Sequence, residues 1–254
     1  MKKRKAGIVI FVIVLIITAV RIKSMDSHRI SGRILAENIA GPGMLRLVEQ
    51  SMQARARKTS VTEIAVKERK HPQAALTFDD GPDIRYTPLL LDGLKERNVR
   101  ASFFLLGEKV EQYPELVERM QKEGHLVGNH TYHHVQLNKL NETKAREEIL
   151  KTNNLIYETT GVYPLYLRPP FGAWKKNLEL CVEMLPVFWT IDTLDWKVQN
   201  TEKIVRTVQE KIEDGAIILM HDEYDTSVEA ALQVVDELKN QGYELVTVDQ
   251  LILP

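Results

Sequence analysis

Short apolar runs alternate with stretches of helical periodicity from Gln73 onward. Most of these runs are largely apolar and do not alternate between apolar and polar positions, which is typical of parallel strands that are covered on both faces of a sheet. Seven such runs predict strands, at Ala74–Phe78, Ala101–Leu106, Leu126–Gly128, Tyr166–Arg168, Val187–Ile191, Ala216–Met220 and Tyr243–Val248.

Between these runs, apolar residues recur at the spacing of one face of a helix. Thr87 is predicted to cap a helix that has Pro88 in its first turn, and further apolar stripes begin at Ile204 and at Val228. Repeated strand–helix units predict an α/β fold with a parallel sheet, which is either doubly wound or closed into a barrel. About seven strands with polar motifs at their carboxyl ends favour a distorted (β/α) barrel.

The amino end has a different pattern. Four basic residues at positions 2–5 precede an uncharged apolar run, Ala6–Val20, which suggests an export or membrane signal. A good small-x-small cleavage site is missing, so residues 1–23 are predicted to be an uncleaved anchor helix. The rest of the chain would then lie outside the cell membrane, with secretion after cleavage as the alternative. Residues 24–72 are predicted to be a juxtamembrane spacer and residues 73–254 a folded domain.

Composition narrows the class of protein. The chain has 254 residues with 34 basic and 35 acidic side chains, so its charge gives no sign of a nucleic-acid partner. An apolar fraction of 44% is that of an ordinary globular protein. The single cysteine, Cys181, excludes an internal disulfide framework and CxxC zinc sites, and we interpret it as a core residue.

Two adjacent carboxylates, Asp79 and Asp80, follow the first predicted strand and precede a Gly-Pro turn. Burying such a pair is costly unless a metal ion or a proton compensates their charge. His130 and His134 follow the third predicted strand, and on a helical turn their imidazoles would share one face. With Asp80 or Asp79 they would form a two-His, one-carboxylate metal site, although His133 is also within reach of this arrangement.

Three further predicted strands are followed by polar residues. The stiff loop Arg168–Gly172 begins with an arginine that could pair with whichever aspartate is not on the metal, or form a structural salt bridge at the rim. Asp195 and Trp196 suit a charged group beside a sugar-stacking wall, although such a tryptophan can equally cover a core. His221 is a candidate general acid that an acid such as Asp195 could orient.

Five segments in this order resemble the motifs of the polysaccharide deacetylases, the carbohydrate esterase family that includes chitin and peptidoglycan deacetylases. They are Thr77–Pro82, His130–His134, Arg168–Gly172, Asp192–Trp196 and Leu219–His221. The resemblance spans about Gln73 to Leu253. It implies a distorted (β/α) barrel and a divalent metal cofactor, usually Zn²⁺, with Co²⁺ or another divalent ion as an alternative.

The resemblance also implies a role for each matching residue. Asp79 would be the catalytic base, Arg168 would hold it, and Asp195 would tune His221 as the acid. Phe171 stands where many members have tyrosine, and its main-chain N–H would join the oxyanion hole. The remaining residues would bind the metal (Asp80, His130, His134) or line the acetyl pocket (Trp196, Leu219).

The implied activity is removal of N-acetyl groups from a cell-wall polysaccharide that is peptidoglycan or chitin-like, with release of acetate. The Asp-Asp form of the first motif favours N-acetylglucosamine units over N-acetylmuramic acid. A deacetylase or amidase that acts on a small N-acyl compound is an alternative. A cell-wall-binding protein without turnover is another, but it predicts the loss of at least one of these site residues, and all are present.

Overall fold

The computed structural model describes residues 70–174 and 184–252, which lie in one compact unit, Glu68–Pro254. Eight strands within these residues form a single sheet whose pairings are all parallel. The strands are β1 Gln73–Asp79, β2 Ser102–Leu105, β3 Leu126–Asn129, β4 Tyr166–Leu167, β5 Leu185–Pro186, β6 Ile191–Asp192, β7 Ala216–His221 and β8 Glu244–Leu245.

Helices follow most of the strands. The described residues contain α1 Tyr86–Glu96, α2 Gly107–Gln112, α3 Pro114–Lys122, α4 Glu142–Thr160, α5 Asp195–Val198, α6 Thr201–Lys211, α7 Asp225–Asn240 and α8 Val248–Ile252. Two turns of 3₁₀ helix occupy Leu137–Lys139 and Pro170–Gly172. In the part of the chain described, no helix is long and apolar enough to cross a membrane.

The strand order β5-β4-β3-β2-β1-β7-β6 shows that the sheet is rolled. Its two edge strands, β5 and β6, are consecutive in the chain and are joined only by residues 187–190. An extended segment of that length bridges about 17 Å, so the two edges must face each other. β8 pairs with Gln73 and Ala74 of β1, along the same edge of β1 that pairs with β2 from Thr77 onward. This architecture is consistent with the predicted distorted (β/α) barrel.

The main core lies between β1, β2, β7 and the helices that cover them. Phe78 and Phe103 stack at 5.3 Å, and Leu90 of α1 and Val235 of α7 are fully buried in the same cluster. Burying each such side chain stabilises the fold by about 1.5–3 kcal/mol. The core therefore fixes β1 and β7 side by side, and their carboxyl ends carry Asp79 and His221 in register.

Three sequence predictions need correction. Val187–Ile191 is not one strand, because the chain here crosses from the end of β5 to the opposite edge of the sheet. Only Glu244–Leu245 of Tyr243–Val248 is strand, and Val248 begins α8. Thr87 does not cap α1: the carboxylate of Asp83 accepts the N–H groups of Arg85 and Tyr86, and Thr87 Oγ1 accepts that of Asp83.

The predicted anchor, residues 1–23, lies outside the described residues. So do Cys181 and nearly all of the predicted spacer, residues 24–72.

Candidate active site

The site begins where β1 ends. Asp79 is the last paired residue of β1 and lies opposite Phe104 of β2 and His221 of β7. Asp80 has a φ of 71°, in the left-handed region that few residues other than glycine adopt. The chain therefore leaves the sheet at Asp80, and the two neighbouring carboxylates take different surroundings.

Asp80 faces two imidazoles. Its Oδ1 atom lies 3.4 Å from His130 Nε2 and 3.5 Å from His134 Nε2. A tetrahedral zinc site with bonds of about 2.0 Å places its ligand atoms about 3.3 Å apart, so these spacings fit a divalent ion. Asp80 Oδ1 is buried and has no hydrogen-bond partner among the described residues, as expected for an atom that a cation would satisfy. Across residues 70–174 and 184–252, no other group of three His, Cys, Asp or Glu side chains is close enough to hold a metal.

His130 has the protonation that a ligand needs. Its Nδ1 atom lies 2.6 Å from the carbonyl oxygen of Arg168, so Nδ1 carries the proton and Nε2 offers a lone pair towards Asp80. Burial lowers the pKa of His130 to about 3 against the opposing charge of Asp80, and the ring is therefore neutral. The donor set thus comprises one anionic oxygen and two imidazole nitrogens.

The helical turn predicted for His130–His134 is wrong. The segment is a loop in which Thr131 and His134 have φ values of 68° and 54°. Asn129 Oδ1 accepts the N–H of Thr131, and the carbonyl of Thr131 accepts the N–H of Gly107 at the start of α2. These hydrogen bonds, and not the spacing of a helix, bring His130 and His134 together with ring centres 5.0 Å apart.

His133 is turned away from the group formed by Asp80, His130 and His134 (the metal group). Its Nδ1 atom lies 2.8 Å from Glu148 Oε1, and its main-chain N–H donates to the other oxygen of the same carboxylate. The side chain is 59% exposed. The ambiguity that the sequence left at His133 is resolved in favour of His134.

Arg168 holds Asp79 from beneath the site. Its Nη1 atom donates to Asp79 Oδ1 at 2.8 Å and to Thr77 Oγ1 at 2.7 Å, and the guanidinium packs over Phe104 at 4.2 Å. Burial raises the pKa of Asp79, although the positive charge and hydrogen bond of Arg168 oppose this effect. The other oxygen, Oδ2, lies 3.7 Å from His130 Nε2, so Asp79 borders the metal group without belonging to it.

A second ion pair, Asp195 with His221, also borders Asp80. Asp195 is fully buried, its Oδ1 lies 2.8 Å from His221 Nδ1, and its Oδ2 accepts the main-chain N–H of His221. Burial lowers the pKa of His221, but the hydrogen bond and charge of Asp195, with the charges of Asp79 and Asp80, raise it to about 9. His221 is thus protonated at neutral pH, with Nε2 3.8 Å from Asp80 Oδ2.

The remaining predicted residues lie around this centre in different ways. Phe171 has a φ of 59° in its 3₁₀ turn, and its exposed ring lies 4.5 Å from that of His134. Trp196 follows Asp195 in α5 and is 49% exposed. Leu219 is buried in β7, and its carbonyl accepts the hydroxyl of Thr193.

Sequence reasoning assigned no role to two buried polar residues that border the site. Thr77 donates to the carbonyl of Ile218 and accepts from Arg168. Asp222 is fully buried beside Gly81, and burial raises its pKa to about 7 although Thr87 donates a hydrogen bond to it. Both lie within or next to the predicted motifs, but neither matched a known chemical role.

A model of the family described as Polysaccharide deacetylase matches residues 66–187, which include Asp79, Asp80, His130, His134 and Arg168. A peptidoglycan-N-acetylglucosamine deacetylase from Bacillus cereus is 40% identical over 186 residues, which cover 70% of this chain and 68% of that protein. The chain belongs to the polysaccharide deacetylase family. The resemblance seen in the five motifs is thereby confirmed.

Some relatives are much longer than this chain. Peptidoglycan-N-acetylglucosamine deacetylase PgdA from Listeria monocytogenes is 42% identical over 185 residues, which cover 73% of this chain but 40% of PgdA. The structure of peptidoglycan deacetylase PdaC from Bacillus subtilis has a TM-score of 0.70 and 42% identity, and the match covers 72% of this chain and 91% of that chain. The chain therefore spans well under half of PgdA.

Membership of the family does not by itself make a protein an enzyme. A structure described as a family pseudoenzyme from Bacillus anthracis is 30% identical, with a TM-score of 0.68 over 72% of this chain and 66% of that chain. The question for this chain is thus whether its own residues form a complete catalytic set.

Proposed function

We propose that this member of the family is a metal-dependent N-deacetylase. It would remove acetyl groups from N-acetylglucosamine units of a cell-wall polysaccharide, peptidoglycan or chitin-like, and release acetate. One observation carries the proposal: the Asp80–His130–His134 group borders both a buried carboxylate, that of Asp79, and a protonated imidazole, that of His221. A hydrolase that acts on an amide needs a proton acceptor for water and a proton donor for the amine.

The residues divide this chemistry between them. Asp80, His130 and His134 would hold the ion, which we propose to be Zn²⁺, with Co²⁺ or another divalent ion as an alternative. When bound, such an ion lowers the pKa of a bound water and polarises a carbonyl oxygen. Asp79 would accept the proton of the attacking water, because the charge of Arg168 favours its ionised form.

His221 would donate a proton to the leaving nitrogen. Amines are poor leaving groups unless protonated, and Asp195 keeps His221 in the charged form that can supply the proton. The main-chain N–H of Phe171 would donate to the developing oxyanion, an effect worth about 3 kcal/mol for one donor in comparable sites. Trp196 and Leu219 would border the acetyl group and its sugar.

The division of roles is tested by comparing metal content with turnover. We expect Asp80→Asn and His130→Ala to lose metal and acetate release together, whereas Asp79→Asn should lose acetate release and keep its metal. His133→Ala is the matched control, because His133 pairs with Glu148 and should affect neither quantity. Metal content is measured by ICP-MS on purified protein. An equal loss of metal in all three site variants would contradict the assignment.

The substrate is tested by acetate release from defined compounds. We expect oligomers of N-acetylglucosamine to be cleaved in preference to N-acetylmuramic acid units. Turnover of small N-acyl compounds with no turnover of oligosaccharides would favour the amidase alternative. Binding of oligosaccharides without acetate release from any of them would favour a non-catalytic cell-wall protein.

We also propose that residues 1–23 anchor the protein in the cell membrane, with residues 24–72 as a spacer and residues 73–254 as an extracytoplasmic catalytic domain. The basic cluster followed by the apolar run Ala6–Val20 supports this arrangement. A protein that fractionates with membranes at its full length would support it. A protein found in the culture medium, shortened at its amino end, would show that the segment is a cleaved signal.

A further inference from the structure

Asp222 is a buried carboxylate for which the proposed chemistry has no use. Its side chain is fully buried, and Oδ1 has no hydrogen-bond partner among the described residues. Leaving an acceptor in this state is costly, so a residue of this kind needs a structural or functional reason. Asp222 follows His221, at the carboxyl end of β7, and its side chain packs beneath the turn that carries Asp80.

The register of the strands explains the contact. Asp79 pairs with His221, so the next residues of the two strands are Asp80 and Asp222. β1 turns away at this point, because Asp80 is in the left-handed region. Gly81 then comes to lie against the carboxylate of Asp222.

The contact with Gly81 is close enough to require glycine. A Cβ atom at position 81 would lie 2.3 Å from Asp222 Oδ1 and 2.7 Å from Oδ2. The three nearest atoms to this Cβ all belong to Asp222. The backbone of the Asp80–Gly81 turn therefore rests directly on the carboxylate.

The same carboxylate is tied to the start of α1. Thr87 Oγ1 accepts the N–H of Asp83, so its hydroxyl proton is free to donate to Asp222 Oδ2, with which it forms a short hydrogen bond. Asp83 in turn accepts the N–H groups of Arg85 and Tyr86. Asp222 thus connects the end of β7 to both ends of the segment Asp80–Thr87.

We propose that Asp222 is a positioning residue that fixes Asp80 in place as a metal ligand, by supporting Gly81 and by anchoring Thr87. The inference rests on the proposed metal-binding role of Asp80. It joins Asp80, the residue that follows β1, to the strand that carries His221, whose Nε2 lies 3.8 Å from Asp80 Oδ2. Asp222 itself is fully buried against the turn.

Metal affinity is the first test, because it does not depend on turnover. Residues that orient metal ligands typically change affinity by about 10–100-fold when removed. We expect Asp222→Ala to weaken Zn²⁺ binding by at least about tenfold in competition with a chromogenic chelator. Asp222→Asn keeps the shape and an acceptor for Thr87, and we expect it to bind Zn²⁺ within about threefold of the wild-type affinity.

A loss of general stability is separated from a loss of position by a control substitution at Ser102, the first residue of β2. Ser102 is also fully buried and accepts the N–H of Val248. We expect Ser102→Ala to lower the melting temperature without a change in Zn²⁺ affinity. If Asp222→Ala is folded and binds Zn²⁺ as the wild type does, the proposal is wrong.

A double-mutant cycle tests the contact itself and does not require Asp222→Ala to be fully stable. Gly81→Ala alone should weaken Zn²⁺ binding, because the new methyl group displaces the turn from Asp222. In the Asp222→Ala background the methyl group has room, so the added effect of Gly81→Ala should shrink at least about threefold. An undiminished effect would show that Gly81 is required for another reason and would overturn the inference.

The visible spectrum of the Co²⁺-loaded protein completes the test. A displaced carboxylate ligand should change the absorption of Asp222→Ala and leave that of Asp222→Asn close to the wild type. If wild-type protein binds Zn²⁺ tightly but releases no acetate from any substrate, the proposed function fails. The affinity ratios would still decide the role of Asp222.

Discussion

Two ion pairs of opposite polarity border the Asp80–His130–His134 group. In the first, the buried cation of Arg168 holds the carboxylate of Asp79, and in the second the buried carboxylate of Asp195 holds the imidazole of His221. In each pair one residue, Arg168 or Asp195, is fully buried. Its partner, Asp79 or His221, borders the metal group. The charge of Arg168 favours the ionised form of Asp79, which is a proton acceptor. The charge of Asp195 favours the ionised form of His221, which is a proton donor.

The balance of forces differs between the pairs. For Asp79, burial outweighs Arg168, so its pKa is raised and its charge depends strongly on that cation. For His221, the hydrogen bond and charge of Asp195, with the charges of Asp79 and Asp80, together outweigh burial, and the pKa rises to about 9. The first pair is therefore the more fragile, and breaking it should have the larger effect.

The largest effect is expected from Arg168→Met. The substitution leaves Asp79 buried without a counter-charge, a situation that costs about 3–5 kcal/mol of unfolding free energy in comparable cases. The pKa of Asp79 should then rise further, because burial is no longer opposed by Arg168, and acetate release should fall at least about a hundredfold. Urea unfolding at pH 7 and an acetate assay measure the two losses.

Arg97→Met is the matched control for this prediction. Arg97 also pairs with an aspartate, Asp236, at 2.8 Å, but Asp236 is half exposed. A surface pair of this kind contributes about 0–1 kcal/mol. Equal losses of stability in the two variants would show that burial does not set the Arg168–Asp79 pair apart.

His221→Gln removes the imidazole of the second pair, the proposed proton donor. General acid catalysis contributes about 10²–10⁴-fold, so kcat should fall by that factor, while metal content stays at the wild-type level. Stability should fall less than in Arg168→Met, because Asp195 keeps the main-chain N–H of His221 as a partner. A loss of only a few-fold in kcat would remove His221 as the acid.

The contrast between the pairs shows what a sequence can predict here. Asp79 and His221 are far apart in the chain, yet both end apolar runs, and parallel strands bring their carboxyl ends to one edge. That argument needs only periodicity, and it located the polar residues correctly at the ends of strands. It could not show which carboxylate faces His130 and His134, since the choice depends on the left-handed backbone at Asp80.

Other features depended on local geometry that periodicity does not encode. The run Val187–Ile191 looks like one strand, but its ends belong to opposite edges of the rolled sheet. His130 and His134 are brought together by a loop that Asn129 stabilises. Their spacing in the sequence indicated a helical turn instead. Asp222 was missed because its role depends on a backbone contact with Gly81, and a backbone contact leaves no side-chain motif.

Asp195→Asn removes the charge of the buried residue of the second pair, and we expect a loss of kcat that depends on pH. Without the charge of Asp195, the pKa of His221 should fall from about 9 to about 6.5 or lower, since burial then dominates. At pH 8 the protonated fraction would drop about thirtyfold, whereas at pH 5.5 it would change little. The alkaline limb of the kcat profile measures the shift, and an unchanged limb near pH 9 would exclude Asp195 as the cause.

The Asp195–His221 pair also makes the stability of the fold depend on pH. The folded-state pKa of His221 lies above its unfolded value, so its contribution is complete below about pH 6.5 and is lost as pH rises through about 9. Urea midpoints of the wild type should therefore fall between pH 6.5 and 9. Those of Asp195→Asn should be flatter over the same range.

The smallest effect is expected from Thr77→Val, which removes a neutral partner of the first pair and leaves both charges in place. Thr77 donates to the carbonyl of Ile218, so its oxygen presents a lone pair to Arg168 Nη1. Loss of the hydroxyl should cost about 1–2 kcal/mol of stability and lower kcat a few-fold, and Thr77→Ser should restore both. The alkaline limb near pH 9 should stay in place, because the Asp195–His221 pair has no contact with Thr77. A shift of that limb would mean that the hydroxyl of Thr77 acts on the Asp195–His221 pair through Asp79, whose charge already helps to raise the pKa of His221.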